Sequence, residues 1–168
     1  MRGVAKAYSV PYKSLAVAIT SSNNLISVGD GVSSYDAFGG GNDYDIQLLN
    51  TQHRTGAADS YQGVAIKNNY AYVVGWNGAG GGLFTYDISN PSNLVRTGSN
   101  LITGVTQTFA VKINGNYAYV LAHNNKVYVY SLSTASNPVL RASYAVAGAQ
   151  ELSDIAFYQN YAYVSDSY

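Results

Sequence analysis

The pentapeptide Asn-Tyr-Ala-Tyr-Val occurs three times in this chain, at Asn69–Val73, Asn116–Val120 and Asn160–Val164. A looser copy, Asn24-Leu25-Ile26-Ser27-Val28, precedes them. Self-similarity at about 45 residues confines a chain to architectures in which each repeat is one supersecondary unit that buries its faces only against its neighbours. Each copy follows a short segment that sets Ala beside an apolar residue: Ala18-Ile19, Ala65-Ile66, Ala110-Val111 and Ala156-Phe157. The links between the two, Asn68-Asn69 and Asn114-Gly115, hold the residue types that tolerate positive φ in a tight hairpin.

Two more strand-like runs complete the unit. A third strand is expected at Val32–Phe38, Gly82–Ile88 and Lys126–Leu132. A fourth follows a turn containing Pro91 or Pro138 among Asn and Ser, where a missing N–H is harmless. Four short antiparallel strands repeated every 45 residues or so are the pattern of a β-propeller blade; a parallel β-helix repeats over shorter coils and a sandwich need not repeat. The fold class is therefore all-β. Seventeen Tyr and seventeen Gly agree with it, being residues of strands and turns rather than of helices.

Alternation within the strands assigns their two faces. In Tyr-Ala-Tyr-Val the tyrosines share one face and the small or β-branched residues the other, and neither face is charged. Tyr70, Tyr72, Tyr117, Tyr119, Tyr161 and Tyr163 are expected to fill the wedge against one neighbouring blade. Ala71, Ala118 and Ala162 allow close approach on the other side.

The NYAYV strands, the DISNPSN and TASNPVL turns and the RASY of the last complete unit resemble the LVIVD-repeat propellers, mainly bacterial and archaeal proteins often found at cell surfaces. The resemblance runs from Gln62 to Tyr168 and is poor before residue 58, where Ser33–Asp45 inserts a Gly-rich stretch. It implies stacked blades and an extracellular or cell-surface setting; it implies no single activity, because the fold hosts many. Complete blades are expected at residues 14–58, 61–104 and 106–148, with a partial one at 151–168 and an outer latch strand within 1–13. That is one strand short of four full blades. Either a compact ring has one incomplete blade, or the chain is part of a larger ring, as a truncated chain or as one protomer of an assembly; uncovered blade faces and strand edges favour the second, with self-association into an oligomer or filament a real outcome.

Charge and composition exclude several functions. Nine Lys plus Arg balance nine Asp plus Glu, which leaves no basic field for nucleic acid. Apolar runs are far shorter than the roughly 20 residues of a membrane span. Without cysteine there is no disulfide, thiolate nucleophile or Cys-type zinc site, and no cofactor is expected. Loops joining second to third strands and loops between blades emerge on the same end of a propeller. They collect the residues fit to bind a ligand: Trp76, Asn77, His123, Asn124, Gln107, Glu151 and Asp154. Trp76, the only tryptophan, suits stacking on a sugar ring as well as capping its blade. His53 and His123 fall in different loop classes, which argues against a two-histidine metal site. Asp30, Asp36, Asp43 and Asp45 around Gly39–Gly41 offer calcium-type oxygens without the spacing of an EF-hand; solvated Asx turns are the plainer reading. Glu151 and Asp154 form one carboxylate pair, slender support for acid–base chemistry, and there is no GxSxG elbow. The expectation is a non-enzymatic structural or interaction module with a protein or glycan ligand, the alternatives being a lectin-like propeller and a propeller hydrolase or lactonase.

Overall fold

The computed structural model describes residues 14–22, 24–29, 31–36, 47–53 and 59–167. The regular structure in them is entirely strand. The first sheet holds β1 (Ser14–Ile19), β2 (Asn24–Gly29), β3 (Gly31–Asp36) and β4 (Gln47–His53). The second holds β5 (Asp59–Lys67), β6 (Tyr70–Asn77), β7 (Gly81–Asp87) and β8 (Val95–Leu101). The third holds β9 (Thr108–Asn114), β10 (Tyr117–Ala122), β11 (Lys126–Ser131) and β12 (Val139–Ala145); β13 (Leu152–Tyr158) and β14 (Tyr161–Asp166) pair as a two-stranded fourth sheet. Each sheet is an antiparallel meander in chain order. The first strands pack in succession, β1 on β5, β5 on β9 and β9 on β13, so the sheets lean side by side as propeller-like blades. Among the described residues no comparable packing joins the fourth blade to the first, and the ring is open. Residues 1–13, with the expected latch strand, lie outside the described residues.

The period of two within each strand builds the contacts between blades. Tyr72 and Val74 turn toward the third blade and pack with Val111, Ala118 and Val120. Ala71 and Val73, on the opposite face, pack with Ile26, Val28 and Val32 of the first blade. The third blade repeats the arrangement: Leu121 meets Leu152 and Ile155, while the Tyr119 ring lies 4.6 Å from that of Phe157. Polar links also run from the first and second blades to turns of the blade that follows. Ser34 Oγ donates to the Pro91 carbonyl, Tyr72 OH to the Ala135 carbonyl at 3.1 Å, and Lys67 Nζ to Asn116 Oδ1 at 2.7 Å. The Asn-Pro turns thus do more than reverse the chain: their carbonyls accept from the preceding blade.

In the first hairpin of blades two to four the leading turn residue is left-handed, with φ of 53° at Asn68, 56° at Gly115 and 52° at Gln159. Only Gly adopts this conformation without a steric penalty. The first blade departs from the pattern. Its β1–β2 hairpin closes through Thr20 N–H to the Asn24 carbonyl, one residue longer than the two-residue turns. The extra residue slips the register relative to the expected alignment of Asn24–Val28 on NYAYV. Ala18 faces Ile26 as Ala65 faces Tyr72, so Ile26 takes the tyrosine position. A slip of one exchanges the two faces of a strand, which is why Ile26 and Val28 point toward the second blade.

The tyrosines differ more than the repeat suggests. Tyr72 is fully buried, and Tyr70 and Tyr119 are half-buried against their next blade. Tyr117, Tyr161 and Tyr163 are exposed, which corrects the expectation that all six fill wedges. For Tyr161 and Tyr163 the reason is plain: among the described residues no further blade packs on that face.

Candidate functional site

At the end of the blades where second strands run into third, the connection from β8 to β9 folds over the β6–β7 loop. Gly81 N–H donates to the Val105 carbonyl at 2.8 Å, and Ile102 N–H to the Gly81 carbonyl at 3.0 Å. Ile102 and Val105 are buried by this fold, and Leu101 stays exposed. Between the two segments lies an open groove of about 510 Å³ with Trp76, Gly78, Gly80, Leu101 and Thr106 in its wall. Its size falls within the roughly 300–1,000 Å³ of small-ligand sites. Trp76 is half-buried at the end of β6, paired with Ser60 and Gly81, so it belongs to a strand rather than to the loop where it was expected.

The other candidates separate around this groove. Asn77 closes the loop, its Oδ1 accepting from Ala79 N–H at 3.2 Å. The Gln107 carbonyl accepts from His123 N–H at 3.1 Å, and the exposed His123 ring sits 3.2 Å through Nε2 from Thr106 Oγ1, which brings His123 beside the groove. Asn124 Nδ2 donates to Tyr128 OH at 2.8 Å. Glu151 and Asp154 lie apart, between the third and fourth blades. The Glu151 N–H is held by Asp166 Oδ1 at 2.8 Å and its side chain is exposed. Asp154 is within β13, not in a loop, and pairs with Lys112 at 3.4 Å. Among the described residues no three His, Asp or Glu side chains gather to hold a metal ion. Asp30, Asp43 and Asp45 lie outside the described residues, and Asp36 ends β3.

Two features escape a reading of the sequence alone. The groove wall at Leu101–Thr106 looks like a linker; its signal is a run of apolar residues, Leu101, Ile102 and Val105, where a solvated loop needs none. Thr108 is the second. It is fully buried, accepts from Gly75 N–H at 2.8 Å, and directs its hydroxyl toward the Gly75 and Gly82 carbonyls at 3.0 and 2.9 Å, tying the third blade to two strands of the second. Among the described residues no helix is long and apolar enough to cross a membrane.

Stacked antiparallel meanders around successive inner strands, with a ligand-sized groove at the loop end, define a repeat-built, propeller-like protein. The LVIVD repeat family model matches residues 58–101, 107–146 and 151–168, and the chain belongs to that family. No curated protein matches the chain significantly. Among solved structures the chain is similar in fold to the computationally designed Ika8 protein, with a TM-score of 0.65 and 14% identity over 91% of this chain. It spans 42% of the length of that designed chain.

Proposed function

We propose that the protein is a non-enzymatic structural and interaction module of an assembly at a cell surface or outside the cell, and that it associates with itself. The observation that carries this reading is the pair of uncovered blade faces. Val17 and Ile19 stand exposed on the first blade, and Tyr158, Tyr161 and Tyr163 on the last. Clustered apolar and aromatic exposure of this kind marks contact surfaces, and a chain of zero net charge opposes association weakly. The outward setting rests on family membership. In light scattering at tens of micromolar the expected mass exceeds 17.9 kDa; a monomer at every concentration overturns self-association.

The groove favours carbohydrate binding as a second reading. An indole at its wall with hydroxyl and backbone groups beside it suits a sugar face. Glycan-array binding that disappears in Trp76→Ala is the outcome expected of that reading. A wild-type protein that leaves the array blank dismisses it.

A further inference from the structure

The interface between blades is built three times among the described residues, and one copy of each of its halves stands exposed there. On the first strand of every blade, two residues spaced by one face backward: Val17 and Ile19, then Val64 and Ile66, Val111 and Ile113, and Ile155 and Phe157. In blades two to four these pack into the core shared with the preceding blade. In the first blade no such partner lies among the described residues, and Val17 and Ile19 are 53% and 63% exposed. The forward face shows the converse. Ile26 and Tyr72 are fully buried and Tyr119 is half-buried, whereas Tyr163, at the same position of the fourth blade, is 57% exposed and Tyr161 beside it 66%.

We infer that the partner of both ends is a second copy of this chain, which sets the Val17/Ile19 face of its first blade on the Tyr161/Tyr163 face of the fourth, in the same order in which blades succeed one another within the chain. The inference rests on the self-association proposed above and names its faces. The two ends are complementary halves of one interface rather than copies of each other, so the contact is head-to-tail. Blades turn about a common axis, so two copies of the three four-stranded sheets and the two-stranded fourth make a ring of about seven or eight, inside the roughly 4–8 of known propellers, while three copies exceed it. The assembly is accordingly a closed pair.

The test uses one charged substitution on each exposed end, Ile19→Arg and Tyr163→Arg, with circular dichroism to establish that both variants keep the wild-type strand signal. Wild type is expected at twice the monomer mass. Each variant alone is expected as a monomer, with the concentration for half-assembly raised roughly a hundredfold or more by an unpaired charge in the contact. Mixing the two variants restores one intact contact per pair, so the mixture is expected to recover the doubled mass at concentrations where neither variant does so alone. A wild-type assembly that persists in either variant, or a mixture that stays monomeric, overturns this pairing while leaving self-association through another surface standing. Open-ended growth overturns the closed pair, and a wild-type monomer overturns both the pairing and the reading beneath it.

Discussion

Gly75→Ala is expected to abolish the cooperative unfolding transition, or to leave the protein in the insoluble fraction. Gly75 lies opposite the point where β5 shifts register, between Tyr61 and Gly63, and the shift brings the β5 backbone directly over its Cα. A Cβ built there falls on the Ser60 carbonyl oxygen and 2.6 Å from Tyr61 Cα. These are backbone atoms that no rotamer change removes. Overpacking a core usually costs about 1–3 kcal/mol through side-chain adjustment, and this site lacks that relief, so the cost exceeds the usual range. Moving β6 away also separates Gly75 from Thr108, which takes the acceptor from a buried amide at about 1–3 kcal/mol more, while the hydroxyl keeps the Gly82 carbonyl. The measurement is soluble yield and thermal melting against Gly104→Ala, where a Cβ meets open space and the cost is that of a left-handed backbone alone, φ 74°, at about 1–2 kcal/mol. Equal melting of the two proteins refutes the argument.

The same comparison separates what the sequence reveals from what it hides. Strand identity was open to reading because Tyr-Ala-Tyr-Val states its period of two and its faces at once, and the repeat states it three times. Blade order followed, since each unit can bury its faces only on the units beside it. The first blade was misaligned by one residue because its hairpin length, not its composition, sets the register, and Asn24-Leu25-Ile26-Ser27-Val28 fits either phase. Exposure was hidden for a different reason. Tyr72, Tyr119 and Tyr163 have nearly identical local sequences, yet only Tyr72 is fully buried, because burial depends on the blade that follows.

The loop-end site was less visible still. Trp76 could be singled out by type, and its neighbours could not, because the groove arises where Leu101–Thr106 folds back over the β6–β7 loop. Asp154 shows the opposite failure: a carboxylate that looks free in the sequence is engaged by Lys112 once the third and fourth blades pack. Pairwise residue spacing carries no information about contacts between segments distant in the chain, and both the groove and this ion pair are made by such contacts.

Tyr72 is where the repeat's energetic logic is most concentrated. Its ring fills the core between the second and third blades with no exposure, and its hydroxyl spans the boundary to donate to Ala135. Tyr72→Ala is expected to cost about 3–5 kcal/mol by opening a cavity at the centre of the interface. Tyr72→Phe keeps the ring and loses the hydrogen bond, at about 1 kcal/mol. Tyr163→Ala, with the same neighbours in sequence but 57% exposed, is expected to leave the monomer's stability nearly unchanged. Burial first, and then the neighbouring Tyr70, push the Tyr72 phenol up to about 12, while an unfolded tyrosine ionises near 10. The folded state therefore holds its proton more tightly than the unfolded one. That contribution is fully present below about pH 10 and is lost as the pH rises toward about 12. Tyr130, raised in the same direction by its own burial, adds to the alkaline loss. Denaturant midpoints taken between pH 8 and 11.5 are expected to fall at the top of the range in wild type and to fall less in Tyr72→Phe, which has no phenol there to ionise. Parallel curves for the two proteins would show that the Tyr72 hydroxyl is solvated, and that the blades meet less closely than this interface requires.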